Sequence, residues 1–328
     1  MNKQRKETIL NNQVSKIATY KLGGYDQKVL LDGKQETNPV LIFLHGGPGA
    51  PIPFSEGCRG MFPKFTDRCI MVYWDQLGCG INNHVIDDSF TIDLFVDMTV
   101  DLIKAIKNDF PNNPVNLFAV SWGSVLAAKA AARVPELLNR VMVYGQVLKN
   151  LTFNQEVYDE LKRSGLSSRK QKLMDDMFHK DVHTMEELKQ AAVWIRKYTE
   201  GYQSKSGGKI PLGTIIRGIL TSPDYSLRDF KAMVINGYAK NKSLLSEMMK
   251  VDLSEELSNV RIPYLILQGS TDIVTSTKTI SQFIAESQNK NLVFHRIENS
   301  GHMPGSNGIE KILTEGIPFI SEPKPVHS

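Results

Sequence analysis

Short, continuous runs of apolar residues recur along this chain, and no other feature of the sequence constrains its fold as strongly. In the first half they are Val40–Leu44, Cys69–Trp74, Val115–Val120 and Val141–Tyr144. Runs of this length without alternating polar positions are typical of strands buried on both faces, as in a parallel sheet. Between two of them, Thr91–Phe110 has apolar residues at helical spacing. The alternation predicts a doubly wound α/β fold with a mostly parallel sheet flanked by helices.

The alternation of strands and helices then stops. Residues 147–250 contain no convincing core strand, whereas Gln155–Ser164 and Thr184–Tyr198 have helical patterns. Thr184 and Glu187 have the spacing of a capping box, which predicts the start of the second of these helices. We therefore predict that residues 147–250 form a helical cap, or lid, inserted into the core.

Runs of strand length resume with Pro263–Gly269 and Leu292–Ile297. A hairpin within residues 15–31 supplies two further strands at the start of the chain. Together these strands place the cap between the sixth and seventh strands of one sheet. We predict that residues 1–146 and 251–328 form the α/β core around it.

Composition bears on where such a protein works. The chain is 41% hydrophobic and 23% charged, as soluble globular proteins are. No run approaches the roughly 18 apolar residues that span a bilayer, and Thr8–Leu10 is too short for the core of a secretory signal. Cys58, Cys69 and Cys79 follow no metal-binding spacing. We expect free thiols in a reducing cytoplasm.

Charge is distributed unevenly and bears on possible partners. The whole chain carries a formal charge of +4, but residues 147–250 carry +6 and the remainder −2. A solvated, lysine-rich surface explains this simply; alternatively, the cap favours neutral or acidic substrates. No basic and aromatic module of a nucleic-acid-binding type is present. We expect a small-molecule or short-peptide substrate and no nucleic-acid or membrane partner. The sequence does not indicate an oligomeric state.

Ser121 lies where the third of the buried runs meets a helix-forming segment. Val115–Val120 precedes it, and Trp122, Gly123 and an alanine-rich run follow. A strand, a serine, a small residue and a helix are the pattern of a nucleophile elbow, which lifts the hydroxyl clear of the backbone. The usual elbow has glycine two residues before and after the serine, and here Ala119 takes the first position. Alternatively, Ser121 simply caps an ordinary helix.

Two further residues have the types and the order that a serine nucleophile needs. A serine hydroxyl requires a histidine base, and the histidine requires a carboxylate that fixes its tautomer. Asp272 follows the strand that ends at Gly269, and His302 follows the strand that ends near Ile297. Groups in these loops meet at the carboxyl edge of the sheet. Taken singly, Asp272 is also an ordinary turn residue, and His302 an ordinary loop histidine.

The loop His45–Gly49, with the sequence His-Gly-Gly-Pro-Gly, also follows a strand. Glycines allow its backbone to approach a substrate closely. We predict an oxyanion hole formed by the backbone N–H groups of Gly47 and Trp122, with Gly46 and Pro48 contacting substrate. The alternative is a plain turn after the strand.

Two competing sites are weaker. His179 and His183 are four residues apart and suggest a metal site with Glu187, but His183 precedes the predicted cap at Thr184 and leaves the helical face. Cys79 lies in a glycine-flanked loop where a reactive thiol is conceivable, although no base is tied to it by spacing. We therefore expect neither a metal nor a cofactor.

The motifs taken together resemble the proline iminopeptidase-like branch of the α/β-hydrolase superfamily, over about residues 15–320. The segments that carry the resemblance are His45–Gly49, Asp75–Gly80, Ala119–Ser124, Gly269–Asp272 and Ser300–His302. The resemblance implies the α/β-hydrolase fold with a helical cap, and a catalytic triad of Ser121, Asp272 and His302.

The chain also departs from that branch. Leu77 stands where the branch usually has arginine, and the elbow has Ala119 in place of glycine. Aminopeptidases of the branch anchor the substrate amine with cap glutamates, often after tryptophan, whereas Trp194 is followed by Ile195. We therefore expect a serine hydrolase that cleaves a carboxylic ester or lactone held under the cap. The alternatives are a prolyl aminopeptidase and a non-catalytic binding protein of the same fold.

Overall fold

The computed structural model describes residues 3–50, 59–180, 182–208, 213, 216, 220–234, 238 and 241–322, so Cys58 lies outside the described residues. One eight-stranded sheet forms the centre of the molecule. Its strands are β1 Val14–Leu22, β2 Tyr25–Gly33, β3 Val40–Leu44, β4 Ile70–Trp74, β5 Val115–Val120, β6 Arg140–Tyr144, β7 Tyr264–Gly269 and β8 Leu292–Ile297.

The strands lie in the order β1-β2-β4-β3-β5-β6-β7-β8. β2 is antiparallel to both β1 and β4, and all other neighbours are parallel. Every residue of β3, β4 and β6 is buried, because helices cover both faces of the sheet. The carboxyl ends of β3 to β8 therefore meet at one edge, where the predicted site residues follow their strands.

The opening hairpin is longer than the sequence pattern predicts. Leu22 pairs with Tyr25 across a two-residue turn, and the pairing continues to Val14 and Gly33. The turn residues Gly23 and Gly24 have φ of 58° and 89°, the left-handed pair that a tight hairpin requires. Only Val14 and Leu22, the two ends of β1, are buried, so this strand has no continuous apolar run that would mark its full length.

Helices of the core cover both faces of the sheet. The longest, α3, begins after Thr91, whose hydroxyl accepts the N–H of Leu94. The polar helix α1 was not predicted from the sequence. The core helices are α1 Lys3–Asn11, α2 Pro63–Thr66, α3 Ile92–Asp109, α4 Trp122–Arg133, α10 Ser254–Ser258, α11 Thr277–Glu286, α12 Ser306–Lys311 and α13 Ile317–Ser321.

A helical insertion lies between β6 and β7, as predicted. Thr184 and Glu187 form the predicted capping box, in which each side chain accepts the backbone N–H of the other residue. Buried side chains of α5, α6 and α7 form a separate apolar cluster with Ile273 of the core. The helices of the insertion are α5 Gln155–Arg163, α6 Ser168–Phe178, α7 Met185–Tyr198, α8 Leu227–Val234 and α9 Lys242–Met249.

A buried ion pair ties the cap to the core. The guanidinium of Arg59 donates to both carboxylate oxygens of Asp224, and the Asp224 side chain is 3% exposed. This hydrogen-bonded carboxylate raises the pKa of Arg59.

Among the described helices, none is long and apolar enough to cross a membrane.

Candidate active site

Ser121 stands at a sharp turn between β5 and α4. Its φ of 51° and ψ of −120° lie in a region that costs L residues roughly 1–3 kcal/mol. Two backbone hydrogen bonds hold the turn: the Ser121 N–H donates to the carbonyl of Tyr144 at 3.1 Å, and the Ser121 carbonyl accepts from the N–H of Ser124 at 2.8 Å. This strained, held conformation is that of the predicted elbow.

The two small residues around Ser121 are not equivalent. A Cβ atom on Gly123 would lie 2.1 Å from the carbonyl oxygen of Leu44, so α4 crosses the end of β3 with no room for a side chain. Ala119 is fully buried inside β5, beside Leu44 of β3. The elbow therefore requires glycine after the serine and accepts a methyl group before it.

The structure brings the three predicted residues Ser121, His302 and Asp272 together. His302 Nε2 lies 2.9 Å from Ser121 Oγ, and His302 Nδ1 lies 2.9 Å from Asp272 Oδ2. The Asp272 side chain is fully buried, and that of His302 is 13% exposed. Because a carboxylate only accepts, Nδ1 carries the proton and Nε2 is left to accept from the serine hydroxyl.

Residues that the sequence analysis missed hold Asp272 in place. Its Oδ1 accepts the N–H groups of Val274 at 2.8 Å and Thr275 at 3.0 Å, and the Thr275 hydroxyl donates to Oδ2 at 2.7 Å. Both oxygens of the carboxylate are therefore satisfied in its charged form. All these donors lie within three residues of Asp272, in the loop that follows β7.

The loop of residues 299–305, which carries His302, is braced from two directions. The His302 N–H donates to the carbonyl of Gly201 at 3.0 Å, and the Met303 N–H donates to that of Tyr202 at 2.7 Å. From the core, the Tyr144 hydroxyl donates to the carbonyl of Gly301 at 2.5 Å. Segment 201–208 of the insertion thus fixes the backbone beside the base.

The glycine loop lies directly against the nucleophile. A Cβ atom on Gly46 would lie 3.3 Å from Ser121 Cβ and 3.1 Å from the carbonyl oxygen of Val120. Gly47 has a φ of 116° and is joined to Pro48 by a cis peptide bond. On the other side, Trp122 is the first residue of α4, so its N–H has no acceptor within the helix.

His45 supports this loop. The side chain is fully buried; Nδ1 donates to the carbonyl of Gly46 at 2.9 Å, and Nε2 accepts the N–H of Gln76 at 3.0 Å. Burial lowers the pKa of His45 to about 4, so the ring is neutral near pH 7. Cys79 Sγ lies 3.6 Å from Nε2, and that thiol is also fully buried.

We predict that protonation of His45 contributes to unfolding of the protein in acid. The folded protein binds a proton here only near pH 4, whereas the unfolded chain does so near 6.5. The free energy of unfolding therefore falls as the pH drops through this window, by up to about 3 kcal/mol. Urea unfolding of His45→Gln between pH 7 and 4.5 should show a flatter fall than that of the wild type or of a variant at the exposed His84. Equal slopes would contradict this account.

The structure also shows where the residues of the weaker metal hypothesis lie. His179 caps the end of α6, and His183 lies before α7 with its ring stacked on Phe153, the centroids 3.7 Å apart. Over the part of the chain that the structure describes, no three His, Cys, Asp or Glu side chains are grouped as metal ligands.

Comparison with known proteins identifies the family to which this chain is similar. The family model described as alpha/beta hydrolase fold matches residues 39–308. The chain is 22% identical to a probable aminopeptidase, YbaC, of Bacillus subtilis, over 86% of this chain and 89% of the relative. It is 25% identical to a proline iminopeptidase of Lactobacillus acidophilus, over 85% of this chain and 89% of that relative. The crystal structure of a Mycobacterium smegmatis proline iminopeptidase aligns with a TM-score of 0.63 at 18% identity, over 93% of this chain and 97% of that one.

Proposed function

This chain belongs to the α/β-hydrolase family, and we propose that within it the chain is a serine hydrolase that forms an acyl-enzyme on Ser121. The observation that carries the proposal is the hydrogen-bonded series Ser121 Oγ, His302 Nε2, His302 Nδ1 and Asp272 Oδ2, with both separations 2.9 Å. A histidine so placed is a general base for the serine and a general acid for the leaving group.

Acylation proceeds by attack of Ser121 Oγ on the substrate carbonyl while its proton passes to His302 Nε2. Asp272 stabilises the imidazolium that forms. The backbone N–H groups of Gly47 and Trp122 donate to the tetrahedral oxyanion. The proton on Nε2 then passes to the departing oxygen, and the leaving group is released as an alcohol.

Deacylation repeats these steps with water. His302 takes a proton from the water molecule, the resulting hydroxide attacks the acyl carbonyl, and Ser121 leaves with the proton that His302 returns. The products are a carboxylic acid and the free enzyme. No step requires a metal or a cofactor.

We propose a carboxylic ester or lactone as the substrate, because three carboxylates of the cap already have hydrogen-bonded partners in the core. Asp224 pairs with Arg59, Glu247 accepts the N–H of Ile92 at 2.7 Å, and Glu156 accepts the hydroxyl of Ser276 at 2.6 Å. An aminopeptidase needs a carboxylate that is available to a substrate ammonium group. A carboxylate that already has a hydrogen-bonded partner must exchange it, which reduces the gain.

A cationic side chain near the base also favours an ester or lactone over a substrate with a free amine. The guanidinium of Arg196 stacks 4.2 Å from the centroid of the Tyr202 ring, and that ring lies 6.1 Å from the ring of His302. A positive charge in this position disfavours a substrate ammonium and favours a neutral or acidic group, although exposure of Arg196 keeps the effect modest.

The alternative is a prolyl aminopeptidase, and one residue favours it. Glu200 directly precedes Gly201, whose carbonyl binds the backbone of His302. The carboxylate of Glu200 is 42% exposed. It accepts from the Ser204 hydroxyl and the Lys205 N–H, and it lies 3.8 Å from the Lys205 ammonium. Because it is exposed and directly precedes a segment bound to the loop of the base, Glu200 is the cap carboxylate that we test as a receptor for a substrate amine.

A substrate comparison separates the two functions. We expect p-nitrophenyl esters to be hydrolysed at least about 100-fold faster, in kcat/KM, than proline p-nitroanilide, a difference of about 3 kcal/mol in transition-state stabilisation. Glu200→Gln should leave ester hydrolysis within about threefold of the wild type, as should Glu186→Gln on the exposed face of α7. Fast proline anilide turnover that collapses only in Glu200→Gln would establish the aminopeptidase instead.

A further inference from the structure

Gln76 lies in the loop after β4 and is fully buried between two parts of the site. Its side-chain Oε1 accepts the indole N–H of Trp122 at 2.8 Å, and its Nε2 donates to the carbonyl of His45 at 3.1 Å. Its backbone N–H donates to the ring of the same His45 at 3.0 Å. One residue therefore binds both the start of the glycine loop and the start of α4.

These two segments supply the two N–H groups that the proposed mechanism directs at the oxyanion. His45 is two residues before Gly47, and Trp122 directly follows the nucleophile. They follow neighbouring strands, β3 and β5, whose pairing ends at Leu44 and Ala119. Beyond that pair, the side chain of Gln76 hydrogen-bonds to both segments. We infer that Gln76 is a positioning residue that sets the distance between the two halves of the oxyanion hole; this inference rests on the proposed function.

Cap residues hold the loop on either side of Gln76. The Tyr225 hydroxyl donates to the carboxylate of Asp75 at 2.7 Å, and the Tyr238 hydroxyl donates to the carbonyl of Leu77. Both tyrosine side chains are buried, and burial raises the pKa of Tyr238 well above its usual value, so it stays a donor. The residues before and after Gln76 are thus tied to the cap, and the amide itself is tied to the oxyanion loop and α4.

A second glutamine in the same molecule provides a matched control. Gln27 is also fully buried, its Oε1 accepts the indole N–H of Trp74 at 2.9 Å, and its Nε2 donates to the carbonyl of Leu22 at 3.2 Å. The chemical groups are those around Gln76, but they join β1, β2 and β4 and not the site. Loss of either amide leaves the same kinds of group unpaired.

The experiment compares Gln76→Leu with Gln27→Leu in ester hydrolysis and in thermal unfolding. We expect similar decreases in Tm, but a fall in kcat of about 100-fold for Gln76→Leu alone, because a displacement of about 1 Å at the reacting centre has an effect of this size. KM should change by less than about threefold, since ground-state contacts are kept. Binding of a trifluoromethyl ketone, which forms a tetrahedral adduct on serine, should weaken in parallel with kcat/KM.

A second pair of variants keeps the test decisive if Gln76→Leu does not fold. Trp122→Phe removes the indole donor but keeps its backbone N–H, and Trp74→Phe is its control. We expect about a tenfold loss in kcat for Trp122→Phe and little for Trp74→Phe. Equal kcat losses within each pair would overturn the role of Gln76. A wild type that neither hydrolyses esters or anilides nor reacts with a fluorophosphonate would instead overturn the proposed function.

Discussion

Replacement of Ser121 by alanine is expected to lower kcat for ester hydrolysis by about 10⁵- to 10⁶-fold, the loss typical when a serine nucleophile is removed. The fold should be unaffected. Alanine keeps the Cβ atom, so the backbone strain at a φ of 51° is unchanged. The hydrogen bond that the substitution removes is the one between the Ser121 hydroxyl and His302. The measurements are kcat with a p-nitrophenyl ester and labelling by a fluorophosphonate, both compared with a variant at the exposed Ser89.

A double variant tests whether the residues act as a unit. Ser121→Ala combined with His302→Ala should be little less active than Ser121→Ala alone, because the base has no function without its nucleophile. Additive losses, or fluorophosphonate labelling that survives in Ser121→Ala, would refute the assignment of Ser121 as nucleophile.

Asp272→Asn is expected to lower kcat by about 10⁴-fold with little change in KM. The Oδ1 position accepts two backbone N–H groups, from Val274 and Thr275, so the asparagine oxygen must occupy it. The amide nitrogen then faces His302 Nδ1 as a donor and selects the tautomer that has its proton on Nε2. That tautomer cannot accept the proton of Ser121.

The control for this variant is Thr275→Val. It removes the hydroxyl donor at Oδ2 but retains the charge and the histidine tautomer, so we expect a loss of about tenfold or less in kcat. Thermal unfolding of both variants checks that the loop is intact. If Asp272→Asn and Thr275→Val lose activity to the same small extent, Asp272 does not orient the base.

The sheet and the meeting of the three predicted residues at its edge follow from the sequence for a common physical reason. Strands buried on both faces leave apolar runs that can be recognised without knowledge of their partner strands, and β5 and β7 end directly before the loops of Ser121 and Asp272. His302 follows the edge strand β8, which is only partly buried but still has the length of a strand. Because parallel strands share one carboxyl edge, chain order alone placed Ser121, Asp272 and His302 near one another. The separations, the burial and the histidine tautomer required the structure.

Residues that hydrogen-bond to partners far along the chain have no local sequence pattern that predicts their role. Gln76 binds Trp122, 46 residues further along the chain, and Tyr144 binds the loop of His302 from 157 residues away. Helix α1 was missed because it is stabilised by a tertiary contact, in which Arg5 donates to the carbonyl of Arg59, and not by an apolar stripe. Such contacts depend on the complete fold.

The hydrogen bonds between segment 201–208 and the loop of residues 299–305 couple the position of the base to that of the cap. Steric fit reinforces them, since a Cβ atom on Gly207 would lie 2.2 Å from the carbonyl oxygen of Asn299. Lifting the cap at this edge would withdraw His302 from Ser121, so each opening there would disconnect the base from its nucleophile. Exchange of substrate with an assembled triad must therefore take place away from this edge, and the rate of product release should be insensitive to substitutions that tighten it.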